Sequence, residues 1–173
     1  MFSDPIRAGA AGQSTGYTID QSIRFNDDDS AYMSRTPSVA GNRKTWTWSG
    51  WVKRGNLGVQ QLFWDEFTDA NNRSHMGFLS DDTFRIQGRT ASATSHHYIT
   101  TRVFRDPSAF YHIVVAFDTT NATAGDRIRL YINGIEETAF GTETDPALNV
   151  DTNFNDTGQH NLGRYGGASS YLD

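Results

Sequence analysis

Ala109-Phe110-Tyr111-His112-Ile113-Val114-Val115-Ala116-Phe117-Asp118, followed by Asp126-Arg127-Ile128-Arg129-Leu130-Tyr131-Ile132-Asn133-Gly134-Ile135-Glu136-Glu137, decides the fold. Both runs are rich in the β-branched and aromatic residues that favour strands. In the second, Ile128, Leu130 and Ile132 fall on one face and Arg127, Arg129 and Tyr131 on the other. This is the period-2 alternation of a sheet with one dry and one wet side. Asn133-Gly134 supplies the two positive-φ residues of a type I′ hairpin. The reading is three consecutive antiparallel strands within an all-β, two-sheet antiparallel β-sandwich.

Two further blocks extend the pattern: Thr45-Trp46-Thr47-Trp48-Ser49-Gly50-Trp51-Val52-Lys53-Arg54 upstream, and His160-Asn161-Leu162-Gly163-Arg164 near the end. Together these stretches resemble the laminin-G-like, concanavalin A-like lectin/glucanase superfamily. That superfamily carries an aromatic-His strand ending in Asp, a strand closing in Leu-Tyr-x-Asn-Gly, a Trp-Val-Lys core strand and a late Leu-Gly-Arg strand. With Ser22-Ile23-Arg24-Phe25-Asn26 and Tyr32-Met33-Ser34-Arg35-Thr36-Pro37, the chain is similar to a subgroup found in virion and tail-fibre proteins of marine tailed phages. The resemblance runs from Tyr17 to Asp173 and implies a jelly-roll sandwich. This fold hosts lectins, glycosidases and plain structural modules alike.

Composition agrees. A chain of 173 residues makes one domain, large enough to bury a core without staples. It contains no Cys, which suits assembly in a reducing cytoplasm, as for a virion protein built inside its host. The formal charge is −5, with Lys and Arg scattered along the sequence, so no basic stripe for nucleic acid is expected. No apolar run approaches the ~20 residues of a spanning helix, so membrane insertion is not expected. Met1 to Arg7 lacks the regions of a signal peptide, so export by the general secretory route is not expected either. Residues 1–16 contain the small-residue run Ala8 to Gly16 and read as a flexible arm that docks on a neighbouring chain; residues 17–173 form the sandwich.

The expected core is Phe25, Trp48, Val52, Phe63, Phe78, Phe84, Ile86, Ile113, Val115, Phe117, Ile128, Leu130 and Ile132. Trp46 and Trp48 share one strand face and Trp51 takes the other, with packing the favoured role for all three. Trp64, at a strand end running into Asp65-Glu66-Phe67, is open between core rim and ligand platform. A sugar presents C–H faces to an aromatic ring while polar neighbours fix its hydroxyls. The candidate glycan site is therefore Trp64, Asp65, Asn71 and Asn72, with Tyr98 and Asn121 nearby.

Carboxylates bear on catalysis. The resemblance implies that glycosidases of the superfamily carry a Glu-x-Asp strand with a second Glu close behind, because two carboxyls must flank one glycosidic bond. Here Glu143-Thr144-Asp145 is followed by Pro146, which ends a strand, and the second Glu is missing. No enzyme activity is expected, and no catalytic residue is assigned. His96 and His97 are adjacent and point to opposite faces of a strand, a poor pair for one metal, while His112 has a structural reading. The resemblance also implies calcium as a candidate ligand at the sandwich rim. Asp27, Asp28 and Asp118 offer hard oxygen donors, against the competing reading of a solvated turn. No cofactor is otherwise required.

The leading expectation is a non-catalytic module of a phage virion, on a tail fibre, tail appendage or capsid surface. It would be homo-oligomeric, contact other virion proteins and have loops open to a host glycan. The alternative is a polysaccharide-binding module of a bacterial surface protein or carbohydrate-active enzyme. Members of the superfamily follow Tyr-Leu-Asp with a further strand. Tyr171-Leu172-Asp173 therefore carries the expectation of a closing strand supplied by a continuing chain or by a second copy.

Overall fold

A computed structural model describes residues 22–166 and 171–173. The expected arm, residues 1–16, lies outside the described residues. Among the described residues, eleven strands form two antiparallel sheets, with a single short 3-10 turn at Ala124–Asp126. In chain order the strands are β1 Met33–Arg35, β2 Thr45–Val52, β3 Gln61–Phe67, β4 Arg73–Phe78, β5 Thr83–Thr90, β6 Ala93–Val103, β7 Tyr111–Asp118, β8 Ile128–Ile132, β9 Ile135–Glu137, β10 Phe140–Thr144 and β11 Gln159–Leu162. The larger sheet runs β1-β11-β3-β4-β5-β6-β10 and the smaller β2-β7-β8-β9. The all-β sandwich reading is therefore correct.

The stretch from Tyr111 to Glu137 folds as read. β7 pairs with β8 and β8 with β9, turning at Asn133 (φ 53°) and Gly134 (φ 80°), both in the left-handed region a type I′ hairpin needs. Burial alternates along β8, with Ile128, Leu130 and Ile132 inside. Arg127 differs from expectation. It precedes the strand and is buried, its guanidinium donating to the carbonyls of Asn121, Ala122 and Pro146, and so it ties the β7–β8 loop to the chain after β10.

Eleven of the thirteen expected core residues are buried; Phe25 and Trp48 are half-buried and pack against the core. Met76, Tyr98, Phe104, Tyr111, Phe154 and Leu172 join them. The aromatic interior is continuous: Trp48 and Phe63 (ring centroids 4.8 Å apart), Phe63 and Phe84 (5.6 Å), and Trp46 stacked on Phe117 (4.2 Å). Trp51 departs from the packing role expected of it: it is exposed on the opposite face of β2, 4.9 Å from the His112 ring.

Charged groups are also inside, Arg54 the largest of them. Arg54 is wholly buried beneath the end of β2, where it donates to Asp82 (3.0 Å), Gln61 (3.2 Å) and the Phe104 carbonyl (2.7 Å) and lies over the Phe78 ring at 4.6 Å. Burying a guanidinium is tolerable only with such partners.

Candidate functional site

The outward face of the larger sheet is the most chemically developed surface of the molecule. Along β5 the alternation sends Phe84, Ile86 and Gly88 inward and Arg85, Gln87 and Arg89 outward. Cross-strand register then lines up a polar row: Asn161 on β11 opposite Asp65 on β3, His75 on β4, Gln87 on β5, His97 on β6 and Thr144 on β10. The neighbouring row carries Phe67, Arg73 and Arg89 directly opposite one another.

Asp65 reaches this face because β3 is irregular. Register shifts between Leu62 and Trp64, so Phe63 is an extra residue and both Phe63 and Trp64 turn to the core. The parity of the strand reverses at that point, and Asp65 and Phe67 emerge outside.

Chain following β11 covers part of the row. The Gly166 amide donates to Asp65 Oδ2 at 2.8 Å and the Asn161 amide at 3.1 Å. The Tyr165 ring stands edge-on to Phe67 (5.8 Å) and His75 (5.4 Å), with the Arg73 guanidinium 5.9 Å from its centre. His75 Nε2 and Gln87 Oε1 are 3.2 Å apart.

The electrostatics follow from this burial. Loss of water raises the Asp65 carboxyl to about 6 against the pull of Gly166, Asn161 and two arginines. Burial, then the charges of Arg85 and Arg73, drop His75 to about 3, so its imidazole is neutral. Burial also raises Tyr165, which Arg73, Arg85 and Arg89 counter. Polar atoms remain without partners among the described residues: Asp65 Oδ1, His75 Nδ1, His97 Nε2 and the Nε atoms of Arg73, Arg85 and Arg89. A rigid sheet thus presents donors, acceptors and a tyrosine ring at fixed spacing, the equipment for holding a polyhydroxylated or anionic ligand. It does not present paired carboxyls. Glu66, raised by burial to about 7, faces inward from the same strand while Asp65 faces out, so the two cannot flank one bond.

The candidate residues read from sequence are only partly brought together. Trp64 is turned inward, stacked on Phe154 at 4.1 Å and edge-on to Trp46 at 5.3 Å, so it is core rim and not a platform. Tyr98 is likewise corrected: it faces the core, with its hydroxyl bonded to Asp145. Asp65 stands on the outward face, while Asn71 and Asn72 lie in the β3–β4 turn beyond the Phe67–Arg73 pair. Asn72 takes the Ala91 amide and bonds Asp69 in the β3–β4 turn, and Asn71 accepts from Ser92. Asn121 belongs to the other sheet, where with Asp118, Asp126 and Arg129 it lines a pocket of about 190 Å³.

The calcium candidates are divided. Asp118 pairs with Thr45 at the start of β2, while Asp27 accepts from Asn56 just beyond its far end. That separates Asp118 from Asp27 and Asp28 by roughly the ~25 Å of an eight-residue strand. Asp118 instead caps its own turn through Thr120. Among the described residues no group of three His, Asp or Glu side chains is placed to share a metal.

The sequence reading missed His75, Gln87, Arg73, Arg85, Arg89 and Tyr165. Strict alternation in Phe84-Arg85-Ile86-Gln87-Gly88-Arg89 was the available signal for half of them. Tyr165 had none, because its place depends on how the chain crosses back after β11.

Solved structures of the same general shape include the native heptameric SAP-like pentraxin from Limulus polyphemus (12% identity, TM-score 0.48). Domain 4 of AbnA, a GH43 extracellular arabinanase from Geobacillus stearothermophilus, in complex with arabinotriose, is another (15% identity, TM-score 0.47). The alignments cover 77% and 78% of this chain but only 57% and 58% of those. No curated protein sequence matches. Residues 25–173, however, match the family model described as the concanavalin A-like lectin/glucanases superfamily, and with its two antiparallel sheets the chain belongs to that family, in its laminin-G branch.

Proposed function

We propose that this domain is a non-catalytic glycan-binding and structural module of a phage virion, carried on a tail fibre, tail appendage or capsid surface. The observation that carries the binding part is the outward row from Asn161 to His97, with its partnerless Asp65, His75 and His97 atoms beside the Tyr165 ring. Family membership supports it, since the superfamily includes lectins. The single raised carboxyl on that face supports a binder over a hydrolase, which needs two. The virion setting rests on the sequence resemblance and on the Cys-free composition, which suits assembly in a host cytoplasm. Among the described residues β2 is hydrogen-bonded on one side only, which supports a homo-oligomer or a partner virion protein adding a strand there.

Binding on this face requires no cofactor. A glycan array probed with the protein in EDTA tests this reading, with Tyr165→Ala as the paired variant. Binding to a defined glycan set that Tyr165→Ala abolishes, with the melting temperature retained, is the expected result. Absence of binding to any glycan overturns the binding part. Immunogold labelling of purified particles tests the virion part.

A further inference from the structure

The outward face has a charge character that the composition hides. The chain is acidic overall, yet Arg73, Arg85 and Arg89 gather on adjacent strands of this one face, Arg73 directly across the ladder from Arg89. None of the three has an ion-pair partner among the described residues; the ion pairs there belong to Arg43, Arg54, Arg105 and Arg129. Like charges set opposite each other in a sheet are destabilising unless something neutralises them. Each guanidinium also leaves its Nε–H without an acceptor while shielded from water. The Tyr165 hydroxyl sits within the field of all three. Independently, His75 is 4% exposed and leaves Nδ1 unpartnered on the same face. The one carboxyl on the row, Asp65, already gives Oδ2 to Asn161 and Gly166 and forms no ion pair with the arginines.

We propose that the outward face of the larger sheet is specific for an acidic glycan, whose carboxylate or sulfate groups are received by Arg73, Arg85 and Arg89 while a sugar ring lies beside Tyr165. This rests on the reading of the domain as a glycan binder and names the class of glycan. Guanidinium groups form paired, directional hydrogen bonds to planar oxyanions, and those here are held on a sheet and partly desolvated, which strengthens such bonds. The neutral His75 and Gln87 between them supply uncharged donors and acceptors suited to hydroxyls.

The test is calorimetric titration of the full chain with three polysaccharides of matched length: a polyuronate, a sulfated galactan and a neutral galactan. Arg85→Gln/Arg89→Gln is the main variant, and Arg85→Gln alone serves if the double variant does not fold. Expected is binding to the polyuronate or the sulfated galactan at least tenfold tighter than to the neutral one. It should weaken with added salt and fall tenfold or more in the double variant, or at least threefold in the single one, with the melting temperature unchanged. The two acidic probes distinguish carboxylate from sulfate as the preferred group. Neutral galactan bound as tightly as the acidic probes, and unaffected by the variants, overturns this proposal while leaving the glycan-binding reading intact. No binding to any of the three, together with a blank glycan array, removes both. Equal binding of a single-stranded DNA of matched charge overturns the proposal by showing a generic polyanion surface.

Discussion

Gly88 lies directly beneath the His96 imidazole: a β-carbon at position 88 would stand 2.2 Å from His96 Cε1. The two residues face each other across the β5–β6 ladder, and His96 is fully buried, edge-on to Phe117 at 5.2 Å. Gly88→Ala must therefore push an imidazole that has no free space. A loss of about 2–3 kcal/mol, the usual cost of overpacking, is expected in urea denaturation. A smaller loss, under about 0.5 kcal/mol, would mean that His96 can swing out.

Arg54 and Asp82 make the second prediction. Arg54→Ala leaves Asp82 with only its exposed partner Arg105 and the Gly58 amide, and opens a void beneath Phe78. Breaking a buried pair from one side costs about 3–5 kcal/mol. The melting temperature should fall accordingly, whereas Arg105→Ala, removing the exposed partner, should barely shift it.

Trp64 and Tyr165 separate packing from recognition. Trp64→Ala removes a ring from the Trp46–Trp48–Phe154 cluster and should cost about 2–4 kcal/mol without changing glycan preference in the fraction that stays folded. Tyr165→Ala should do the reverse. Circular dichroism and the glycan array, run on both variants, check the assignment.

Stability should depend on pH through four buried groups. His75 and His96 have folded values near 3, because burial disfavours their charged forms. Their contribution is complete above about 6.5, where the unfolded chain is also neutral, and drains away as pH falls toward 3. Asp65 and Glu66, raised to about 6 and about 7, act in the opposite sense. The folded chain takes up their protons first, so stability grows as pH falls from about 7 to about 4. The two pairs offset each other between about pH 6 and 4.5, and below about 4 the histidines alone remain, giving a decline of roughly 2.7 kcal/mol per pH unit from these groups.

Glu66→Gln isolates one of them. Glu66 accepts from Thr68 at 2.8 Å but keeps Oε2 buried without a partner. Replacing the carboxylate should stabilise the protein more at pH 8 than at pH 5, by about 1–3 kcal/mol. Denaturation curves showing the same difference at both pH values would refute the raised carboxyl.

The sandwich was legible wherever one face of a strand is wet. The alternation in Ile128 to Ile132 and the Asn133-Gly134 turn needed only the residues themselves. Trp64 misled because its neighbours Phe63 and Asp65 suggest regular alternation, and a bulge leaves no mark in composition. Tyr98 misled because strand parity, not amphipathic chemistry, decides which way a tyrosine points. The arginines were visible one by one and invisible as a group: Arg73 and Arg89 are sixteen positions apart in sequence but direct neighbours in the ladder.

The extra residue at Phe63 has a consequence for how such a surface can change. Phe63 and Trp64 share one place opposite Met76, so the bulge absorbs the extra position and keeps Asp65, Glu66 and Phe67 in the phase of a strand that lacks it. Deleting it would leave a regular ladder with Trp64 still inward and Asp65 still outward, whereas flattening the bulge with Phe63 retained would carry Asp65 into the hydrophobic layer and bring Trp64 and Glu66 out. The bulge therefore insulates the recognition surface from the gain or loss of one codon at this point, and the strand exchanges its faces only where an added residue is not absorbed in this way.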